Sequence, residues 1–189
     1  MEDKIRMLII ESRDVHEKIA ESIPKVMEAL RIMVKCIETG GKIMFAGNGG
    51  SAADAQHLAA ELVNRMRKER RPIAGLALTT DASVLTSIGN DYSFDQIFLK
   101  QVAALGRKGD VLVGISTSGD SMNIVKAIET ARDLGIITIS LTGERGRIRD
   151  LVDCAIAVPS KNTQRIQEAH ILIGHILCEL LEDAICRTI

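Results

Sequence analysis

Short apolar runs alternate with longer amphipathic segments along most of this chain. The run Val111-Leu112-Val113-Gly114-Ile115 is apolar at consecutive positions, which is typical of a strand buried on both faces of a parallel sheet. Five such strands are predicted, near 42–46, 73–78, 110–115, 136–141 and 154–158. Helices are predicted near 51–67, 93–105, 121–134, 145–151 and 163–187. The alternation predicts an α/β fold, a doubly wound three-layer sandwich around a parallel sheet.

Both ends of the chain have a helical pattern. Residues 2–38 are expected to be helical, with a break near Pro24. The last helix is apolar around most of its circumference between Ile171 and Leu181, and a helix of that kind is normally buried. We therefore expect a single domain over 1–189 in which residues 1–38 and the last helix take part in oligomerisation.

Composition excludes several classes of partner. The formal net charge is −1, with no tryptophan, one tyrosine and three phenylalanines, so the basic surface and stacking residues of a nucleic-acid-binding protein are missing. The apolar runs are too short to span a membrane, and Met1–Arg6 lacks the features of a signal or transit peptide, so a cytoplasmic protein is expected. The cysteines form no CxxC pair and are expected to be reduced apolar residues: Cys36, Cys154, Cys178 and Cys186.

The stretch from Gly47 to Glu61 joins an anion-binding turn to a helix that carries reactive side chains. Three closely spaced glycines follow the apolar run 43–46, and Ser51 is placed to cap the next helix, whose N-terminus favours anions. His57 and Glu61 are four residues apart and therefore share one helix face. That face could hold a base and a metal ligand. Alternatively, the glycines make an ordinary tight connection and His57 and Glu61 are a surface pair.

A hydroxyl-rich loop follows the strand near 110–115. A loop of this kind, at the carboxyl end of a parallel strand and ahead of a helix, is a candidate phosphate site. A sugar phosphate suits it better than a nucleotide, because the Walker A lysine and the third glycine of the dinucleotide fingerprint are missing. A turn with Ser121 as an ordinary helix cap would explain one hydroxyl but not all four, which belong to Ser116, Thr117, Ser118 and Ser121. Asp120 would repel a phosphate dianion and is expected to point away from it.

The basic run from Arg65 to Arg71 is expected to be a solvated helix end. Cations favour a helix C-terminus, and Pro72 follows as a stop. A contact of Arg65 with a substrate phosphate or with a second subunit is the alternative.

Four motifs, in this order along the chain, closely resemble the phosphoheptose isomerases of the SIS (sugar isomerase) family. They are GNGGSAADAQHLAAEL, ALTTDASVLTSIGNDYSFDQIF, GDVLVGISTSGDSMNIVKAI and RIQEAHILIGHILCELLE. The resemblance runs from about residue 40 to the C-terminus. It implies a five-stranded parallel sheet, a homotetramer and an enzyme that interconverts sedoheptulose 7-phosphate and glycero-manno-heptose 7-phosphate. That reaction is the first step toward the heptoses of lipopolysaccharide or other surface polysaccharides.

The resemblance also implies roles for individual residues. The substrate phosphate would lie against Ser51, Ser116, Thr117, Ser118 and Ser121. The sugar would contact Asn48, Gly49, Gly50, Glu61, Asn90, Asp91 and Gln167. One zinc ion per subunit would be held by His57, Glu61, Gln167 and His175. Glu61 would transfer the proton between C1 and C2, with His175 as its acid partner.

A non-catalytic SIS protein that only binds a sugar phosphate is the rival function. The bacterial homologue that associates with a replication initiator uses the scaffold in this way, and it lacks the glutamate and histidine that are Glu61 and His175 here. A binding module has no physical need for that acid–base pair, so its presence favours the enzyme. The chain departs from the family pattern at Gln164, where some members have Asp, and at Asp120, where Asn is more familiar.

Overall fold

Five parallel strands form the central sheet of the computed structural model, which describes residues 1–187. They are β1 (Ile43–Gly47), β2 (Gly75–Ala77), β3 (Val111–Ser116), β4 (Ile137–Thr142) and β5 (Cys154–Ala157). Their order across the sheet is β2-β1-β3-β4-β5. β1 pairs with β3 from Ile43↔Val111 to Gly47↔Ile115, so the carboxyl ends of these two strands lie side by side. Loops that leave β1 and β3 therefore meet at the carboxyl end of the sheet.

Helices cover both faces of the sheet, which confirms the predicted three-layer sandwich. They are α1 (Glu2–Lys18), α2 (Ile23–Glu38), α3 (Gly50–Val63), α4 (Ala82–Asp91), α5 (Leu99–Leu105), α6 (Met122–Asp133), α7 (Ile148–Leu151) and α8 (Thr163–Arg187). Successive strand residues pack in two different apolar cores, because their side chains point to opposite faces of the sheet. Ile43 and Phe45 pack in the core that includes residues of α2, α3 and α8, whereas Met44 and Ala46 pack with α5 and α6.

Three helix predictions need correction. α4 was not predicted: its apolar residues Leu85 and Ile88 are only partly buried against the second core. Asp81 caps α4 by accepting a hydrogen bond from the Val84 N–H at 3.0 Å. The helix predicted at 93–105 is a 3₁₀ turn (Phe94–Gln96) followed by α5. The helix predicted at 51–67 ends at Val63, and the basic residues beyond it follow an irregular path.

The N-terminal region breaks where expected. A 3₁₀ turn (Ile19–Ser22) separates α1 from α2, and Pro24 lies in the first turn of α2, where its missing N–H costs nothing. α1 buries Val15 alone, and Ile5, Met7 and Ile9 are more than half exposed. Over residues 1–187, no helix is both long and apolar enough to cross a membrane.

The four cysteines are free thiols, as predicted. Cys36, Cys154 and Cys178 are buried. Burial raises the pKa of Cys36 and of Cys154 to about 11 and that of Cys178 to about 12. These thiols are therefore protonated and unreactive at neutral pH.

Candidate functional site

The turn from β1 into α3 depends on its glycines. Gly49 has φ +57°, a left-handed conformation that side chains disfavour. A Cβ on Gly47 would lie 2.4 Å from the Ser51 carbonyl oxygen, so the chain folds back tightly on itself. α3 begins at Gly50 with Gly49 as its N-cap, and no side chain caps it. Ser51 therefore lies buried in the first turn of α3, and its predicted role as the cap residue is wrong.

A pair of amides joins this turn to the neighbouring loop. Asn48 Nδ2 donates to Asn123 Oδ1 at 2.9 Å, and Asn123 Nδ2 donates back to Asn48 Oδ1 at 2.8 Å. Asn123 lies in the first turn of α6 and is buried. The pair fixes the relative positions of the two loops that follow β1 and β3. Sequence reasoning missed Asn123 because its role depends on pairing with a residue 75 positions away.

The hydroxyls of the loop after β3 converge. Ser116 Oγ lies 3.0 Å from Ser121 Oγ and 3.4 Å from Ser118 Oγ. The Gly119 N–H donates to Ser116 Oγ at 3.2 Å and holds the loop closed. Ser121 is the N-cap residue of α6 but makes no side-chain cap bond, since its hydroxyl faces Ser116 instead.

A cavity of about 380 Å³ adjoins this loop. Its lining includes Thr117, Ser118 and Asp120 from the loop, and Lys161 from the chain leading into α8. Asp120 Oδ1 accepts a hydrogen bond from the Arg147 N–H at 3.0 Å, so its carboxylate is tied to the start of α7.

Three metal-ligand side chains from α3 and α8 come together. His57 Nε2 lies 3.3 Å from Glu61 Oε1 and 2.8 Å from His175 Nε2, and one donor atom from each residue lies within 4.8 Å of the others. α8 can approach α3 because residue 174 is a glycine, where a Cβ would lie 2.6 Å from Leu58 Cδ2. The triad residues of α3 lie in its C-terminal half, whereas the glycine turn lies at its N-terminus.

The donor set of this triad suits zinc. Two imidazole nitrogens and a carboxylate oxygen are ordinary zinc ligands, and tetrahedral coordination at about 2.0–2.1 Å separates ligand atoms by roughly 3.3 Å. The distances of 2.8 and 3.3 Å between the donor atoms are close to that value. Gln167, the fourth predicted ligand, packs against the glycine turn, where a Cβ on Gly50 would lie 2.5 Å from its Nε2. Its coordination of a metal stays a prediction.

Asp54 lies one turn before His57 on α3 and was not singled out in the sequence. It is half-buried, and its Oδ2 atom is buried without a hydrogen-bond partner among the described residues. Burial raises the pKa of Asp54, and the nearby His57 and His175 partly offset that shift. The three-residue spacing from His57 is the sequence signal that could have identified this acid.

The basic run is not a solvated helix end, which corrects the sequence prediction. α3 ends at Val63, and the Arg70 side chain is only 1% exposed in an ion pair with Glu182. Arg65 pairs with Glu69 on the surface, at 2.8 Å.

Asn90 and Asp91 are hydrogen-bonded to each other. They lie at the exposed end of α4, where Asn90 Nδ2 donates to Asp91 Oδ1 at 2.9 Å. Within residues 1–187, neither side chain is hydrogen-bonded to the glycine turn, the hydroxyl loop or the triad. Their contact with a substrate stays a prediction.

Comparisons with known proteins found a matching family and several relatives. A family model described as the SIS domain matches residues 9–143. The chain is 52% identical over 187 residues to the phosphoheptose isomerase of Rhodospirillum rubrum, covering 98% of this chain and all of that protein. The corresponding values for the phosphoheptose isomerase of Aquifex aeolicus are 47% over 189 residues, with 99% of each chain covered.

A solved structure extends the likeness to the fold. The phosphoheptose isomerase of Neisseria gonorrhoeae superposes with a TM-score of 0.92 at 43% sequence identity, over 96% of this chain and 98% of that one.

Proposed function

Because this chain belongs to the SIS-domain family, and within it to the phosphoheptose isomerases, we propose that Glu61 and His175 transfer the proton in its reaction. The chain is an aldose–ketose isomerase that interconverts sedoheptulose 7-phosphate and D-glycero-D-manno-heptose 7-phosphate. The observation that carries the proposal is the convergence of His57, Glu61 and His175 within 4.8 Å at the contact between α3 and α8.

The reaction needs a base and an acid near two adjacent carbons. It moves a proton between C1 and C2 through an enediol, so a carboxylate or imidazole must reach the carbon-bound proton and a second group must serve the oxygens. Glu61 Oε1 faces His57, which leaves its other oxygen to take the proton from one carbon and return it to the next. His175, on the opposite helix, is placed to exchange a proton with the substrate oxygen.

We further propose one zinc ion per subunit, held by His57, Glu61 and His175, with Gln167 as a fourth ligand. When bound, zinc would polarise the substrate carbonyl and stabilise the oxyanion of the enediol. The support is the chemistry and spacing of the triad donors. In this arrangement Glu61 uses one oxygen as a ligand and the other as the base.

We assign the substrate phosphate to the hydroxyl loop after β3, at the end of the site opposite the triad. Three hydroxyls converge at the N-terminus of α6, those of Ser116, Ser118 and Ser121. These hydroxyls can rotate to donate hydrogen bonds to phosphate oxygens. Thr117 and Ser51 would add donors from the same loop and from α3, and Asn48, Gly49, Gly50, Asn90 and Asp91 would contact the sugar. Helix geometry places His57 and Glu61 about 9 to 15 Å along α3 from Ser51. That separation suits a long sugar whose phosphate lies at the end opposite its carbonyl.

We infer a homotetramer in which residues 1–38 take part in assembly. The His57 side chain is 49% exposed in one chain, whereas an enediol intermediate needs protection from water. A neighbouring subunit would supply that cover. We place the reaction in the cytoplasm, as the first step of ADP- or GDP-heptose synthesis for surface polysaccharide, including lipopolysaccharide.

The test is conversion of sedoheptulose 7-phosphate by the purified protein, followed by NMR. We expect the aldose to form, and unphosphorylated sedoheptulose to remain unconverted at the same concentration. A chelator should abolish turnover and added zinc should restore it. Binding of sedoheptulose 7-phosphate without any aldose would favour the non-catalytic binding module, and activity that resists complete metal removal would contradict the zinc assignment.

A further inference from the structure

One carboxylate holds the loop that follows α3. Glu182, on α8, accepts hydrogen bonds from the backbone N–H groups of Met66, Arg67 and Lys68 at 2.8–2.9 Å. Its Oε2 also accepts from Arg70 Nε at 3.1 Å, and both side chains of this pair are 1% exposed. Burial alone would raise the pKa of Glu182, but these donors lower it below its usual range. The carboxylate is thus charged, buried and fully hydrogen-bonded.

The Arg70 guanidinium caps the C-terminal end of α3. Its Nη2 donates to the Glu61 carbonyl oxygen at 2.8 Å, and its Nη1 donates to the Leu62 carbonyl oxygen at 2.9 Å. The last carbonyls of a helix lack intrahelical partners, and a cation there is favoured by the helix dipole. Arg70 therefore fixes the backbone of the residue to which we assign the proton transfer.

The same pair sets the position of α8. His175 and Glu182 are seven residues apart on α8, about two turns, so both project toward α3. α8 meets α3 at several points, among them the close approach of Gly174 to Leu58, and it meets the loop after α3 at the Glu182–Arg70 pair. The triad lies between α3 and α8, as do Gly174 and Leu58.

We propose that the buried Arg70–Glu182 pair is a positioning device for the proton-transfer site, holding the carbonyl end of α3 against α8 so that Glu61 and His175 meet. This inference rests on the proposed roles of those two residues. Arg70 and Glu182 lie outside the residues that are assigned to the substrate and the metal. Supporting groups of this kind typically change metal affinity or activity by about 10- to 100-fold when they are replaced.

The chain offers a matched control at the amino end of β3, outside the contact between α3 and α8. Asp110 is a carboxylate with a side chain 5% exposed, it accepts hydrogen bonds from the Lys42 and Arg107 N–H groups, and it pairs with the Lys42 ammonium. It lies at the start of β3, away from the triad. Asp110→Asn therefore removes a buried, backbone-bonded carboxylate without altering the contact between α3 and α8.

The experiment compares Glu182→Gln with Asp110→Asn in the full-length protein. Both variants should lower the thermal midpoint. Only Glu182→Gln should weaken zinc binding, measured by competition with a chromophoric chelator, and lower kcat, each by about tenfold or more. Arg70→Lys keeps the charge but loses the forked contacts, so it should show the same defects more weakly, and it decides the question if Glu182→Gln does not fold.

Two negative outcomes are distinguishable. If the native protein neither binds zinc nor turns over sedoheptulose 7-phosphate, the proposed function fails and this inference loses its basis. If the native protein does both, and Glu182→Gln and Arg70→Lys match Asp110→Asn in zinc affinity and kcat, the pair only stabilises the fold and the positioning role is overturned.

Discussion

Among single residues, His170 differs most from an ordinary surface histidine. It lies on α8 with no exposed surface, and neither ring nitrogen has a hydrogen-bond partner of normal geometry within the described chain. Burial lowers the pKa of His170 to about 4, partly offset by the Thr142 backbone. The ring is therefore neutral at physiological pH, and protonating it in the folded state is costly.

This shift predicts a loss of stability in mild acid. An unfolded chain binds a proton at histidine near pH 6.5, whereas His170 in the folded chain binds one only near pH 4. Between these values the unfolded state holds more protons, so the free energy of unfolding falls as the pH is lowered, by roughly 3 kcal/mol for this group. We expect His170→Met to lose less stability than the native protein between pH 7 and pH 4 in urea titrations. If the free energy of unfolding changed equally with pH in the two proteins, the role of His170 would be contradicted.

Part of the site can be predicted from sequence at this scale because local spacing determines it. His57 and Glu61 share a helix face by their spacing, and the structure brings them within 3.3 Å. Arg70 could not be predicted in the same way. A basic run before a proline looks solvated, and the acid that buries it lies 112 positions later in the chain. Asn123 was missed for the same reason, since its partner Asn48 lies 75 positions away. Asp54, in contrast, had a local signal in its three-residue spacing from His57.

At the scale of secondary structure elements, the contact between α3 and α8 decides the geometry of the triad. Leu58 is 1% exposed and occupies the space above Gly174. A Cβ at position 174 would lie 2.6 and 2.7 Å from the two Leu58 methyl carbons. Because Leu58 is buried, either its methyl groups would have to shift within the core or the helices would have to separate.

Substitutions at this contact should therefore be coupled. Gly174→Ala should destabilise by about 1–3 kcal/mol through overpacking, although alanine is the better helix former. Leu58→Ala should cost about 2–5 kcal/mol through the cavity it leaves. The double variant should lose at least about 1 kcal/mol less than the sum, because the new methyl group fills part of that cavity. Urea denaturation of the four proteins measures this coupling, and strict additivity would refute the close contact.

Elements with a continuous apolar run were predicted well. β1 and β3 are buried at every residue, so their continuous apolar runs identify them. α4 fully buries no residue in the single chain, and its apolar face is short, with Leu85 and Ile88 partly buried against the core. The sequence predicted that α3 would continue to about residue 67, because basic residues are common at the C-terminal end of a helix. In the structure α3 ends at Val63, and these residues form a loop.

For the whole molecule, the N-terminal helix carries more apolar surface than one chain covers. On α1, Ile5 is 55% exposed, Met7 64% and Ile9 64%. Together with Leu8, Ile5 and Ile9 line one groove that also includes Arg165 of α8. Exposed apolar surface that is contiguous in this way usually marks an interface between proteins.

The proposed homotetramer can be tested through this surface. Ile5→Glu combined with Ile9→Glu should shift the protein to smaller species in light scattering, and turnover should fall because the half-exposed triad loses its cover. Lys18→Gln, at the exposed end of α1, changes charge without touching the apolar residues and should leave the assembly intact. A stable monomer of the native protein at micromolar concentration would contradict the tetramer.

The central claim is that Glu61 moves the proton, and turnover of sedoheptulose 7-phosphate in D₂O tests it most directly. Glu61→Gln preserves shape but removes the base. We expect the native protein to form the aldose with deuterium at the exchanged carbon, and Glu61→Gln to be slower by about 10²-fold or more. Glu129→Gln, an exposed change on α6, should behave like the native protein. Near-native turnover and deuterium incorporation by Glu61→Gln would contradict the account.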